Sequence, residues 1–465
     1  MSPCSFVLDI GKTHIKAHVI DAAGDSVASR ETLNRVQSEG VYPHYAIDAI
    51  WRFLLDSLES LNRTFPITAI AVTTHGAAAA LVDRERGGDG LILPVLDYEF
   101  VGIESIDEAY RKERPDFSET GSPELPAGLN LGRQLAWLEA RFPVEFAAAT
   151  DILMYPQYWV WRLCGERVSE VSSLGCHTDL WAPWEQGYSS LVTTRGWTQK
   201  FPRLVPAWEN VGRITATVAA QTGLSPDCAV IAGVHDSNAS YLRYRRGMPE
   251  RPFSVVSTGT WAIVMDSSAG REKLDAERDM LANVDVYGRP FVCSRFMGGR
   301  EYQAICEFLG GDPDAPFSTA DILAIIAAGL LCLPTWQAGS GPFSQRRGRI
   351  QGAVAPDTVP AALASLYCAL VLDYQLELLG SSGDIVIGGA FLKNAGLCGL
   401  LAKLREPQQL LCSADLTGTV QGTAMLTRWE HPARLEPMQG IEPVQIDGLA
   451  EYRALWRESV LSFAN

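Results

Sequence analysis

A strand-like apolar run that ends in a tight turn of glycine and small polar residues occurs twice in this chain, near the start of each half. The first copy is SFVLDIGKTHIKAHVI, residues 5–20, and the second is FSVVSTGTWAIV, residues 253–264. This weak internal duplication points to two related α/β lobes. In the first copy Phe6, Val7 and Leu8 read as a buried strand with Asp9 at its end, followed by a turn of Gly11, Lys12 and Thr13. Apolar Ile15, Ala17 and Val19 then alternate with Lys16 and His18, the period of a returning strand. A hairpin here argues against a P-loop, which needs a longer glycine spacing leading into a helix.

Asp9 is placed to hold a Mg²⁺ ion, largely through water, because Mg²⁺ keeps much of its hydration shell. Gly11, Lys12, Thr13 and Lys16 are placed near phosphates; an ordinary hairpin turn is the competing reading. In the second copy, backbone N–H groups of Thr258, Gly259 and Thr260 can serve phosphate oxygens. Just before it, the apolar run Ala229–Ala232 ends in Gly233, and Asp236 follows. A carboxylate past a strand end can take a proton from an attacking hydroxyl. It can also cap the helix expected from Asn238 onward, and the two roles are compatible. Taken together, the two turns and this acid are what a phosphoryl-transfer site needs.

Strand-like runs at 5–9, 69–73, 91–96 and 229–233 alternate with helix-like runs at 47–61, 130–141 and 157–164, the pattern of an α/β chain. Ile50, Leu54, Leu58 and Leu61 recur at helical spacing, so 47–61 reads as a surface helix with one buried face. Further along, strands are expected over 253–264 and 384–388, and helices over 360–379 and 420–429. Residues 112–128 hold three prolines and two glycines without periodicity and read as a long surface loop, with a lid as the alternative. The lobe boundary falls near residues 240–250.

Composition narrows the partners. The net charge of −15 and the lack of a Lys/Arg cluster make the chain a poor nucleic-acid binder. Arg243, Arg245 and Arg246 form too short a run to change that. None of the ten cysteines stands in a Cys-x-x-Cys pair, and most lie in apolar runs, which fits a reducing cytoplasm. No signal peptide is evident. The longest apolar run, Ile322–Leu333, has twelve residues, short of the roughly 20 that a membrane span needs.

An ordered set of motifs resembles the FGGY family of carbohydrate kinases, within the actin and hexokinase-like ATPase superfamily. DIGKTHIK resembles the family's first phosphate motif, with Lys12 and His14 in place of the usual Thr and Ser. GLNLGRQLAWL, ILMYPQYWVWRLCGERVSEVSSLGCHTDLW, the block ending in Gly233 and Asp236, STGTW, VIGGAFLKN and VQGTAMLTRW then follow in the family's order. The resemblance implies two actin-like (ribonuclease H-like) lobes with a central cleft. Residues 1–242 would carry the sugar side and the first phosphate motif, and residues 243–465 the nucleotide side. ATP and Mg²⁺ are the implied cofactors; a small-molecule sugar and ATP/ADP are the implied partners, without nucleic acid or membrane and with a homodimer allowed.

The resemblance makes Asp236 the catalytic base. It places Thr74, His75 and Gly76 on the sugar, and Asp97 and Glu99 as hydroxyl acceptors beside it. His235 and Ser237, flanking Asp236, are similar to the triplet of L-rhamnulose and L-fuculose kinases; His75-Gly76 is similar to xylulose kinases. Gly388, Gly389, Ala390 and Asn394 match the adenosine motif, and Gln303 matches a nucleotide-side glutamine of rhamnulose kinases. The expectation is ATP-dependent phosphorylation of a ketose, of L-rhamnulose or L-fuculose type, with D-xylulose or another polyol as runner-up. A non-catalytic sugar- or nucleotide-binding sensor is the alternative of another class; the presence of both Asp9 and Asp236 weighs against it.

Overall fold

The structure is a computed structural model that describes residues 2–248, 251–413, 418–432 and 437–462. The chain forms two compact units. The first comprises Met1–Gly247, Ala282–Pro290 and Thr417–Arg434, and the second Met248–Leu281, Phe291–Leu416 and Leu435–Asn465. The expected division at 242/243 thus misses two returns of the chain to the first unit. One of them carries the helix expected over 420–429, observed as Gly418–Leu426. Residues 249–250, inside the expected boundary, lie outside the described residues.

In the first unit the strand Cys4–Ile10 is buried along nearly its whole length, as its unbroken apolar run demands. It pairs antiparallel with His14–Ile20 and parallel with Ile67–Thr74. The sheet runs Asn210–Arg213, Ala229–Ile231, Ile67–Thr74, Cys4–Ile10, His14–Ile20, Ser26–Leu33, and the short strand Val234–His235 also pairs with Ile67–Thr74. The helix Ile47–Asn62 buries Ile47, Ile50, Leu54, Leu58 and Leu61, one stripe of a 3.6-residue period. The run at 91–96 is no strand: Leu91 and Leu96 make only isolated bridges, with Val82 and His44.

The second unit repeats the opening arrangement. Phe253–Thr258 pairs antiparallel with Ala262–Asp266 and parallel with Asp384–Gly389, which in turn pairs parallel with Leu410–Ser413. The helix Pro360–Leu379 is long and apolar enough by length and composition to span a bilayer, although no unbroken apolar run marks it, but 89% of its most apolar stretch is buried inside the protein. It is the core helix of this unit.

The segment 112–128 is not a bare loop. It contains the short helix Phe117–Thr120, and Thr120, Ser122 and Leu125 are buried. Arg114 anchors it through an ion pair to the buried Asp179 (2.8 Å), which also accepts a hydrogen bond from Tyr110. That fixation leaves little room for a hinged lid.

The helix Asp236–Gly247 packs against Gly418–Leu426 at Gly422, where a Cβ would lie 1.7 Å from the Ala239 carbonyl oxygen. Gly422→Ala must therefore force the two helices apart. The expected cost is about 1–3 kcal/mol of unfolding free energy, read as a lowered midpoint in urea with an unchanged m-value.

Candidate active site

Parallel pairing brings three strand ends of the first unit side by side. Asp9 aligns with Thr73 and Ile10 with Thr74, while Val234 aligns with Thr73 and His235 with Thr74. Asp9, His75 and Asp236, far apart in sequence, therefore share one edge of the sheet, beyond the carboxyl ends of its parallel strands, where α/β sheets hold their ligands. Glycine makes the last step fit. Gly233 has φ +85°, and a Cβ there would lie 2.9 Å from the Val72 carbonyl oxygen.

Asp236 is itself the first residue of its helix, which starts two residues before the expected Asn238, so it stands inside the helix and not at its cap. Its Oδ1 accepts from the Ser237 N–H (2.6 Å) and the Ser237 hydroxyl (3.2 Å), and lies 3.2 Å from His235 Nε2. These partners converge on one carboxylate oxygen, and Oδ2 has no partner among the described residues. His235 is buried, and its Nδ1 faces the Asn238 side-chain amide at 3.3 Å. Both ring nitrogens of His235 are thus spent inside the protein, which corrects the expectation that it contacts a sugar. Ser237 likewise turns its hydroxyl to Asp236. Behind this group the Ser172 hydroxyl accepts from the His235 N–H (3.2 Å) and donates to the buried Glu170 (2.5 Å). Burial pushes the Glu170 carboxyl up to about 7, against its hydrogen bonds from Ser172 and Ser173.

Asp9 sits beside Asp236 and across the hairpin from Lys16. Burial raises its pKa to about 7, the Asp236 charge adds to the rise and Lys16 opposes it. No hydrogen bond offsets that cost among the described residues. A cation here would relieve both carboxylates. Among the described residues no group of three or more His, Cys, Asp or Glu could cage a metal. Asp9 therefore suits a Mg²⁺ ion that keeps its waters and arrives with phosphates.

The turn after Ile67–Thr74 is held from several sides. The His75 N–H donates to the Ile10 carbonyl (2.9 Å), and the Thr74 hydroxyl donates to the His75 carbonyl. Gly76 lies against His235, where a Cβ would stand 2.8 Å from Nε2. His75 Nδ1 meets the Gly76 carbonyl at 2.8 Å, so Nδ1 carries the proton, and Nε2 is buried without a hydrogen-bond partner among the described residues. Burial lowers the His75 pKa to about 4, against the Gly76 hydrogen bond and the Asp236 charge, so the ring is neutral. Tyr45, Tyr98 and Tyr155 surround it at ring-centroid distances of 4.9, 5.4 and 5.1 Å.

Lys12 departs from its expected place on phosphates. Its ammonium forms an ion pair with Asp97 and a second with Glu99 (3.2 Å), and lies 4.6 Å from the Tyr98 ring centroid. The unbranched stem reaches the two acids, and their charge holds the ammonium. Gly11 and Thr13 keep the turn itself: Gly11 N–H donates to the His14 carbonyl, and Asn34 bonds the backbone of both residues.

In the second unit the strand register sets Thr258 beside Gly389, so two expected nucleotide motifs do meet. The Thr258 hydroxyl donates to the Gly388 carbonyl (2.6 Å) and accepts from the Phe391 N–H (2.9 Å). Thr258 is thus a pin between the turns rather than a free hydroxyl. Gly389 has φ +90°, and a Cβ there would lie 1.9 Å from the Thr258 carbonyl oxygen, so no other residue fits. Gly259 N–H closes its own turn onto the Trp261 carbonyl, with Thr260 between them. Ala390 begins the 3₁₀ turn that ends at Lys393. Asn394 is spent as a cap: its Oδ1 accepts from the Leu397 N–H and its amide donates to Ser365. That corrects the expectation of a nucleotide contact through this side chain. Gln303 is exposed on the helix Gly298–Phe308.

Sequence reasoning missed Glu170, Ser172, Asn238 and the three tyrosines. The spacing Glu-x-Ser-Ser, an acid capping a short helix, was the available signal for the first two. The tyrosines lie in unrelated segments, and nothing local marks them.

Two family descriptions match the chain. "FGGY family of carbohydrate kinases, N-terminal domain" covers residues 4–242, and "Carbohydrate kinase FGGY, C-terminal domain" covers 250–436. An L-fuculokinase of Escherichia coli (strain K12) is 27% identical over 277 residues, 57% of this chain and 56% of that protein. The match thus spans about half the length of the curated relatives. A carbohydrate kinase from Novosphingobium aromaticivorans is 35% identical, with TM-score 0.90 over 99% of both chains. A ligand-bound xylulose kinase from Lactobacillus acidophilus shares the fold at 15% identity, with TM-score 0.78 over 98% of this chain and 96% of that one.

The Asp9 pKa, near 7 in place of an ordinary carboxylate value, makes a stability prediction. The folded state holds the Asp9 proton longer than the unfolded state, so Asp9 subtracts stability as pH rises from about 4 to about 7. Without added metal, Asp9→Asn should raise Tm above wild type, and the gap should widen between pH 5 and pH 8. Thermal unfolding at both pH values reads it.

Proposed function

The chain belongs to the FGGY family of carbohydrate kinases, and from that premise we propose that it transfers the γ-phosphoryl group of ATP to a hydroxyl of a ketose. The observation that carries the reading is the Asp236 carboxylate, with Oδ1 saturated by Ser237 and His235 and Oδ2 left to accept a proton. The acceptor oxygen bonds to the γ-phosphorus while the bond to the β–γ bridging oxygen breaks. The hydroxyl proton passes to Asp236 Oδ2, and ADP leaves with the electron pair. Such a transfer needs alignment and charge neutralisation more than covalent help.

Asp9 is the residue that would hold Mg²⁺, which when bound neutralises phosphate charge. Asp97 Oδ2 can accept a sugar hydroxyl, and the turn that carries His75 and Gly76 is assigned to the sugar beside it. His235 acts through Asp236: its Nε2–H holds Oδ1, while Asn238 holds the ring from behind. The backbone turns at Thr258–Thr260 and Gly388–Ala390 are assigned to the nucleotide, with Thr258 and Asn394 keeping those turns in shape. The acceptor we favour is an L-fuculose- or L-rhamnulose-type ketose. The His235-Asp236-Ser237 triplet and the L-fuculokinase relative support it. D-xylulose is the second reading, favoured by His75-Gly76.

Asp236→Asn keeps shape and hydrogen bonding but cannot take a proton at neutral pH. A kcat loss on the order of 10²-fold or more is expected, with sugar and MgATP affinity nearly kept. Steady-state kinetics on a ketose panel, beside calorimetric binding, checks it; an Asn variant with wild-type kcat would remove Asp236 from the mechanism.

A further inference from the structure

The Lys12 ammonium stands in a motif whose position suggests phosphates, yet it is committed elsewhere. It pairs with Asp97 and with Glu99, over the Tyr98 ring. Asp97 Oδ1 also accepts from the Tyr45 hydroxyl and the Glu99 N–H, each at 3.2 Å. Three donors therefore meet on one oxygen of a buried carboxylate. Asp97 Oδ2 has no partner among the described residues. The pattern is the same as at Asp236: one oxygen is saturated, which fixes the carboxylate plane, and the other is left to accept.

We propose that Lys12 is a positioning residue on the sugar side, holding Asp97 so that Oδ2 accepts an acceptor hydroxyl, and that the acceptor is an uncharged polyol or ketose. This rests on the kinase reading above and deepens it. The charge balance supplies the second half. Asp97, Glu99 and Asp236 are acids, and Lys12, the ammonium among them, is already paired with two. His75 is neutral in its buried setting. Lys16, the next cation along the hairpin, stands across from Asp9. Among the described residues Lys12 is the cation paired with two of these acids, so a carboxylate or phosphate on the acceptor would meet three acids and one committed ammonium, a costly arrangement in a partly desolvated site.

The test uses the full chain with Lys12→Met and Lys12→Arg. In Lys12→Met, KM for the ketose should rise on the order of 10-fold or more, with KM for MgATP changed much less. Lys12→Arg, which can still pair with Asp97, should recover part of the loss. A rise in KM for MgATP without a change for the ketose would overturn the assignment and return Lys12 to the phosphates. For wild type, kcat/KM on ketoses and alditols should exceed that on aldonates of equal length by about 100-fold or more. Comparable turnover of an aldonate would overturn the charge argument.

Wild type that turns over no acceptor would count against the kinase reading instead. Calorimetric titration of each polyol and of MgATP into wild type and Lys12→Met then decides Lys12. Loss of polyol affinity alone supports the proposal; loss of nucleotide affinity alone, or no polyol binding to wild type, overturns it.

Discussion

Parallel pairing of Cys4–Ile10 with Ile67–Thr74, and of Ile67–Thr74 with Val234–His235, is the constraint on which the candidate site depends. Strands in register end together, so Asp9, His75 and Asp236 arrive at one edge without any local sequence device. The backbone does the gathering and the side chains need only point outward. Glycines then permit approaches that a Cβ would forbid, at Gly233 against Val72 and at Gly76 against His235.

At two carboxylates the same economy of hydrogen bonding recurs. Asp236 and Asp97 each collect their protein donors on a single oxygen. A carboxylate so held is rigid, because rotation would break several bonds at once, yet it still offers two lone pairs on its other oxygen. Rigidity of the acceptor group reduces the ordering cost when a ligand hydroxyl arrives.

Legibility in the sequence followed the range of the interaction. Ile47–Asn62 declares itself by its helical period, whereas Cys4–Ile10 and Pro360–Leu379 were readable from their apolar content, since both are buried on nearly every side. The positions of Asp9 and Asp236 at the ends of strands were readable because each follows an apolar run. Lys12 was not, because its partners Asp97 and Glu99 come from another segment, and a lysine beside a glycine turn gives no hint of which anion will claim it. His235 and Asn394 were misjudged in the same way: a side chain placed correctly along the chain spends its hydrogen bonds on a neighbour that only tertiary structure supplies. The run at 91–96 looked like a strand because Leu91, Leu93, Val95 and Leu96 are buried, but burial there comes from packing and not from a ladder.

The helix Asp236–Gly247 rests on Gly418–Leu426, so close that only glycine fits at 422. That backing arrives late. A nascent chain that has emerged as far as Ser413 already carries every residue assigned here to proton transfer, sugar contact or metal. It still lacks the helix against which Asp236–Gly247 packs, and the first unit is the one left unfinished. Completion of the amino-terminal unit must then wait for synthesis of most of the other. A truncation that removes Gly418–Leu426 would act as a lesion in the unit that the amino-terminal half builds.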